Sequence, residues 1–200
     1  MSKISRGFTG RRHEKTKDLP PGQHLEGGFP VLSAGPTPRI DKQDWELFVH
    51  TGPGETKKWS WQEFVNLPTT DITTDIHCVT SWSKLGTRWR GVSLDIILQD
   101  VPAQHQYTMA HSYGGYTTNL PLADLRAGKA WIAFQYDGED LAAKHGGPAR
   151  LLVPHLYFWK SAKWIRGFVM QDQDKPGFWE QNGYHLRGDP WREERYSRWF

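Results

Sequence analysis

From Trp45 onward the chain is written as short β-branched and aromatic runs separated by turn residues, and this pattern admits a strand-built domain and little else. Trp45–Val49, Asp71–Thr80, Tyr107–His111, Ala130–Tyr136, Ala149–Val153 and Trp164–Met170 each read as a strand. Turn signals stand at Thr51-Gly52-Pro53-Gly54 and Asp137-Gly138. Helix is confined to short pieces. Ser60-Trp61-Gln62-Glu63 has the form of a capping box and predicts a helix to about Leu67, where Pro68 stops it. Ser93 caps a second over Ser93–Leu98, and Pro121 leads a third near Leu125. Together these predict an α+β, mostly β domain with short helices. Long helices do not alternate with strands, and no G-x-G-x-x-G or Walker A sequence occurs, which argues against a doubly wound nucleotide-binding sheet.

Residues 1–40 differ in kind. Pro20-Pro21-Gly22, Gly27-Gly28, Pro30, Gly35-Pro36 and Pro38 leave little room for regular structure, so a coil-rich arm is expected over 1–40 and the folded domain over 41–200. The apolar island Phe29–Leu32 points to a partly anchored coil. Lys3, Arg6, Arg11, Arg12, Lys15 and Lys17 face only Glu14, a basic run that reads either as a solvated tail or as a docking arm. The Arg11-Arg12 pair invites an export reading. An export signal needs an apolar segment of about 7–15 residues, whereas His13 to Pro21 is polar and proline-bearing, so a cytoplasmic protein is expected. No apolar run approaches the roughly 18 residues of a membrane span.

The single cysteine excludes an intrachain disulfide, a Cys-only zinc site, a Cys-ligated iron–sulfur cluster and a c-type haem attachment. Four constellations remain that could carry chemistry. Cys78 is a buried small hydrophobe on its residue type alone, or a ligand or nucleophile in the right company. His77 beside it is no dyad partner, because neighbours in a strand point to opposite faces. His145-Gly146-Gly147-Pro148-Ala149-Arg150 brings glycines that allow close backbone approach and a guanidinium suited to phosphate, or is a plain turn with a solvated arginine. Tyr157–Trp164 alternates aromatics with lysines, which suits a planar anionic ligand or a nucleic-acid strand, or an edge strand with its lysines outward. Ser112–Asn119 sets tyrosines in a glycine-bearing loop that is either a turn or a way to place a phenol in a pocket. Eleven tryptophans are compatible with a large planar ligand or simply with dense packing.

In order along the chain, a cysteine near a strand end, a Tyr-bearing loop before Leu120-Pro121, the string H-G-x-P-x-R-L-x-V-P and a Lys-x-x-Lys-Trp segment resemble the molybdenum-cofactor domain of the sulfite oxidase family. The strings Ile76–Ser83 and Val153–Trp164 look like the short bacterial members related to the catalytic subunit of the periplasmic methionine-sulfoxide reductase. The similarity runs from about Leu19 to the C-terminus. It implies a molybdenum–molybdopterin cofactor, with Cys78 as the protein's ligand to the metal. It places His145 and Arg150 on the pterin and its phosphate, and Ser161 and Lys163 on the next cofactor-binding segment. Tyr116 falls at the pocket tyrosine, and Arg88 or Arg90 is expected to orient the substrate. The implied reaction is oxygen-atom transfer on a small oxyanion or sulfoxide, with electrons exchanged with a separate partner. True sulfite oxidases follow the cysteine with an arginine-rich stretch; here Val79 to Lys84 follow, which points away from sulfite. Two rivals make different claims: a non-catalytic Trp/Lys-rich module for single-stranded nucleic acid, and a cysteine-nucleophile enzyme.

Overall fold

The computed structural model describes residues 19–197. The basic run Lys3–Lys17, with its arginine pair, lies outside them. Eleven strands form two sheets: β1 (His24–Leu25), β2 (Glu46–Gly52), β3 (Glu55–Ser60), β4 (Thr69–His77), β5 (Trp82–Ser93), β6 (Tyr107–Ser112), β7 (Thr117–Pro121), β8 (Trp131–Tyr136), β9 (Glu139–Asp140), β10 (Arg150–Leu152) and β11 (Ile165–Gln171). One sheet has the order β3-β2-β11-β6-β7. In the other, β1-β5-β8-β10 form the path, with β4 on β5 and β9 on β8. Three short helices accompany them: α1 (Trp61–Val65) after β3, α2 (Leu94–Ile97) after β5 and α3 (Phe178–Gln181) after β11. The α+β, mostly β expectation is met.

Local chemistry explains most of these elements. The Ser60 hydroxyl accepts from the Glu63 amide and the Glu63 carboxylate accepts from the Ser60 amide, so α1 starts at a complete capping box. Ser93 caps α2 through the Asp95 amide. Leu47 and Val49 alternate inward along β2 and meet Phe64 and Phe168 in the larger core. A second, more aromatic core gathers Ile76, Cys78, Trp82, Trp89, Tyr157 and Trp159 on the other sheet.

Four expectations are corrected. The strand expected over Asp71–Thr80 stops at His77, because Cys78 opens a tight turn: the Ser81 amide donates to the Cys78 carbonyl and Ser81 takes a left-handed φ of 74°. The region from Trp82 to Ser93, unassigned from sequence, is the longest strand. Its glycines and arginines hide the pattern, although Thr87, Trp89 and Gly91 alternate inward. At Gly91 an added Cβ would lie 2.4 Å from the Ile132 carbonyl oxygen, so β5 and β8 approach there only over glycine. The Pro121-led helix is a single 3-10 turn at Leu122–Asp124. Finally, Tyr157–Trp164 is not an edge strand with outward lysines. Phe158–Lys160 forms a 3-10 turn, and Lys160 is buried.

Candidate functional site

Cys78 begins the turn between β4 and β5, its amide bonded to the Trp82 carbonyl (2.8 Å). Its sulfur accepts from the Thr80 hydroxyl at 3.1 Å. Burial pushes the thiol up; the Thr80 hydrogen bonds and the Arg195 charge pull the other way. The His77 ring goes to the Ser83 hydroxyl (2.8 Å) and not to the sulfur, as expected for strand neighbours. A buried thiol raised by desolvation and without a histidine base among the described residues does not make an activated nucleophile.

A cavity of about 440 Å³ opens over Cys78. The arm supplies one wall through Phe29 to Pro36, and Trp82, Phe158, Trp179 and Tyr184 supply aromatic surface. The arm is held there by packing and by hydrogen bonds. Phe29 stacks on His145 with centroids 4.0 Å apart and 14° between planes. Lys163 donates to the Leu32 carbonyl (2.7 Å), the Ser33 hydroxyl (2.9 Å) and the Lys144 carbonyl (2.8 Å).

Arg150 and Lys163 give the cavity its charge. Arg150 is 1% exposed. It donates from Nη1 to the His145 carbonyl (2.8 Å) and from Nη2 to the Ser161 carbonyl (2.6 Å), and its guanidinium lies 4.1 Å over the Phe158 ring. Its partners are carbonyl dipoles and aromatic faces; the ion pairs of the described residues leave it and Lys163 out. Burial lowers Arg150 to about 9. Burial and then the Arg150 charge lower Lys163 to about 8. Burial, followed by the charges of Arg150, Lys163 and Lys144, holds His145 at about 4, a neutral imidazole at pH 7. Gly146 permits this crowding. It takes a φ of +109°, and an added Cβ would meet Arg150 Cβ at 3.0 Å and Lys163 Cα at 3.1 Å. Two buried nitrogens in the same region lack partners, the Trp82 indole N–H and His145 Nδ1. Uncompensated cations and orphaned nitrogens around an aromatic cleft fit a planar ligand carrying an anionic group.

The structure brings together Cys78, Tyr116, Arg150, Ser161 and Lys163 at this cavity, with His145 behind the arm. Ser161 acts through its backbone on Arg150, while its hydroxyl accepts from the Val153 amide (2.9 Å). Tyr116 reaches the cavity, but its hydroxyl donates to the Trp159 carbonyl (2.7 Å), and burial, then the Glu180 charge, push its phenol far up. Arg88 and Arg90 do not reach it. Both point off β5 to solvent: Arg88, 70% exposed, pairs with Asp137 at 2.9 Å, and Arg90 pairs with Asp71 at 2.8 Å. Lys160, offered from sequence as a nucleic-acid contact, is sealed against Glu180 at 2.7 Å. Sequence reasoning missed Tyr184, Trp179 and Arg195, since the tail beyond Asp172 has no period to read; Arg195 returns to the Cys78 turn and donates to the Val79 carbonyl.

The oxidoreductase molybdopterin-binding domain model matches residues 34–179. The chain is 40% identical over 190 residues to the uncharacterized oxidoreductase YuiH of Bacillus subtilis, covering 94% of this chain and 96% of that one. It is 28% identical over 151 residues to YedZ1 of Azospira oryzae, a subunit named for protein-methionine-sulfoxide reduction, covering 74% of this chain and 57% of that one. It is 27% identical over 186 residues to mitochondrial sulfite oxidase of Drosophila melanogaster, covering 78% of this chain but only 32% of the longer relative. Among solved structures, the sulfane dehydrogenase SoxCD of Paracoccus pantotrophus shares the fold, with a TM-score of 0.61 at 20% identity over 68% of this chain and 40% of that one. A cysteine turn, one buried and one half-buried cation without carboxylate partners, and an aromatic cleft therefore stand in a chain that belongs to the molybdopterin-binding oxidoreductases of the sulfite oxidase type.

Proposed function

We propose that this chain carries out oxygen-atom transfer on a small oxyanion or sulfoxide, with Cys78 binding molybdenum and a separate protein exchanging the electrons. One observation carries the reading: a lone thiol and two cations without carboxylate partners, Arg150 and Lys163, open onto a single aromatic cavity. The bound molybdenum–pterin cofactor would supply the two-electron redox chemistry. Cys78 would give the soft metal a thiolate, and the Thr80 hydroxyl at its sulfur would tune that ligand's basicity. Among the described residues no three His, Cys, Asp or Glu side chains converge, so a metal on Cys78 would draw its other ligands from the cofactor. Arg150 and Lys163 would hold the pterin phosphate, Ser161 would fix Arg150, and the neutral His145 would add its unpartnered Nδ1. Tyr116 would form part of the substrate wall.

In this reading residues 1–40 are the arm and 41–200 the cofactor domain, and the stretch from Phe29 to Pro36 shields the cofactor from water. No helix among the described residues is long and apolar enough to cross a membrane. A cytoplasmic setting belongs to the same proposal, since a free thiol suits a reducing compartment.

The test is metal and pterin analysis of protein made in a host that synthesises the cofactor, beside Cys78→Ala. The expected result is near one molybdenum per chain, a visible thiolate-to-metal absorption band, and loss of both the band and turnover in the variant. A wild-type chain that takes up neither molybdenum nor pterin, while a known molybdoenzyme loads in parallel, would overturn the reading.

A further inference from the structure

The tail fixes a surface indole beside the cysteine turn. Asp189 caps a single 3-10 turn at Pro190–Arg192: its carboxylate accepts from the Trp191 amide (2.9 Å), and its own amide donates to the Glu194 carboxylate (3.0 Å). Arg195 then donates to the Val79 carbonyl, and to those of Pro21 (3.3 Å) and Gly22 (3.4 Å). The tail is thereby fastened to the cysteine turn and to the arm together. Trp191 comes to rest edge-on against the His77 ring, with centroids 6.2 Å apart and 76° between planes. Among the described tryptophans it alone is exposed, at 55%. An indole left in water forgoes the apolar burial that the other described tryptophans gain.

His77 joins this indole to Cys78. It is buried, and one peptide bond links it to the cysteine. Its Nδ1 lies 2.8 Å from the Ser83 hydroxyl, Ser83 donates to Gln23 Oε1 (3.3 Å), and Gln23 Nε2 donates to the Cys78 carbonyl (3.0 Å). Two routes thus lead from the Trp191 ring to the cysteine, one through covalent bonds and one through hydrogen bonds in series. Electrons cross a protein most readily where bonds and packed π systems leave no gap. None of Trp191, His77 and Ser83 lines the cavity over Cys78. The ring contact therefore reaches the cysteine from a side that a substrate in the cavity does not occupy.

We propose that Trp191 and His77 are the path by which electrons pass between the protein surface and the metal on Cys78, with Trp191 as the point of contact for a one-electron carrier. The proposal rests on the function above. For a sulfoxide the balance is R2SO + 2 H⁺ + 2 e⁻ → R2S + H2O: water supplies the protons, and the carrier is oxidised by one electron twice per turnover. Separate approaches let the carrier act while substrate or product still fills the cavity. A mere cover for His77 would need apolar surface but no π system, and this difference is what an experiment can read.

The test uses molybdenum-loaded protein carrying a tris(bipyridine)ruthenium photoreductant on an introduced thiol. One label goes on Arg192→Cys, next to Trp191 in the chain, and the other on Lys58→Cys in β3 of the other sheet; both native side chains are mostly exposed. Arrival of the electron at the metal after a flash is followed by bleaching of the thiolate-to-metal band, a readout independent of turnover. Trp191→Met, which fills space without a π system, is expected to slow transfer from the label at position 192 by an order of magnitude or more and to leave transfer from the label at position 58 unchanged. Trp191→Phe, which keeps a ring against His77, should restore most of the rate. An unchanged rate in Trp191→Met, or equal slowing from both labels, overturns the electron path and leaves the molybdenum reading standing. Loss of molybdenum from Trp191→Met overturns it too, by giving Trp191 a purely structural role. Absence of molybdenum from the protein with its native Trp191 overturns both.

Discussion

Two buried cations ten residues apart have opposite company. Lys160 is fully buried against an equally buried carboxylate, Glu180 at 2.7 Å, and also donates to Asn119. Glu180 in turn accepts from Thr118 and from the Trp159 indole. That site is electrically closed. Arg150 is as deeply buried, yet its hydrogen bonds end on carbonyl oxygens and its charge stays uncompensated. Desolvating an ion is expensive, and an internal partner is the usual remedy. Where the partner is missing, the fold tolerates the penalty for a ligand that supplies the opposite charge. The Lys160–Glu180 pair is therefore read as architecture, and Arg150 with Lys163 as a receptor.

The sharpest way to break this contrast is to open the closed site. Glu180→Gln leaves Lys160 buried without a counter-charge and is expected to lower unfolding stability by about 3–5 kcal/mol, measured by denaturant titration of cofactor-free protein. Arg150→Met should behave in the opposite sense. It removes an uncompensated charge along with its carbonyl bonds, so the stability of cofactor-free protein should change by no more than about 1–2 kcal/mol, while pterin retention on gel filtration falls at least about tenfold. If Arg150→Met is the more destabilising of the two, the receptor reading of Arg150 fails.

A third, smaller effect separates closed sites by pH. Asp124 is buried, which raises its carboxyl, but hydrogen bonds from His155 and Arg187 and their charges outweigh burial and hold it at about 2. A folded-state pKa below the unfolded value gives stability that is complete above about pH 4 and lost as pH falls toward 2. Acid titration of unfolding stability should show that loss, and Asp124→Asn should reduce it. An unchanged acid limb would mean that Asp124 gains nothing from its partners.

How legible all this was depends on what kind of signal each part leaves. The capping box at Ser60 and Glu63, the Ser93 cap and the inward alternation of Leu47 and Val49 are local, and they read correctly from sequence. The long strand Trp82–Ser93 did not, because its glycines and outward arginines disguise a period-2 pattern. Cys78, Arg150 and Lys163 could be named because ordered motifs carry them. Arg88 was chosen by closeness in sequence to Cys78, and strand alternation turned it outward to Asp137. Tyr184 and Arg195 reach the Cys78 turn from over a hundred positions along the chain. No local pattern announces a contact of that range.

The finest probe of the contrast is the His145 imidazole, because it reports the charge of the open site while only the residue's backbone carbonyl takes part in the Arg150 hydrogen bonds. Burial and three neighbouring cations, Arg150, Lys163 and Lys144, hold its imidazole at about 4. In cofactor-free protein the fold disfavours the charged imidazole, so stability falls as pH drops from the unfolded value of about 6.5 toward 4. A phosphate bound by Arg150 and Lys163 would place negative charge beside the ring and offset those cations, leaving burial as the main depressing influence. The imidazole should then titrate at a higher pH in loaded than in cofactor-free protein, a shift readable from its carbon-bound ring protons by NMR. Arg150→Met alone, without cofactor, should move the midpoint in the same direction by removing one cation. If loading leaves His145 at its cofactor-free value while Arg150→Met raises it, the anion of the cofactor sits elsewhere, and the uncompensated charge of Arg150 belongs to the fold after all.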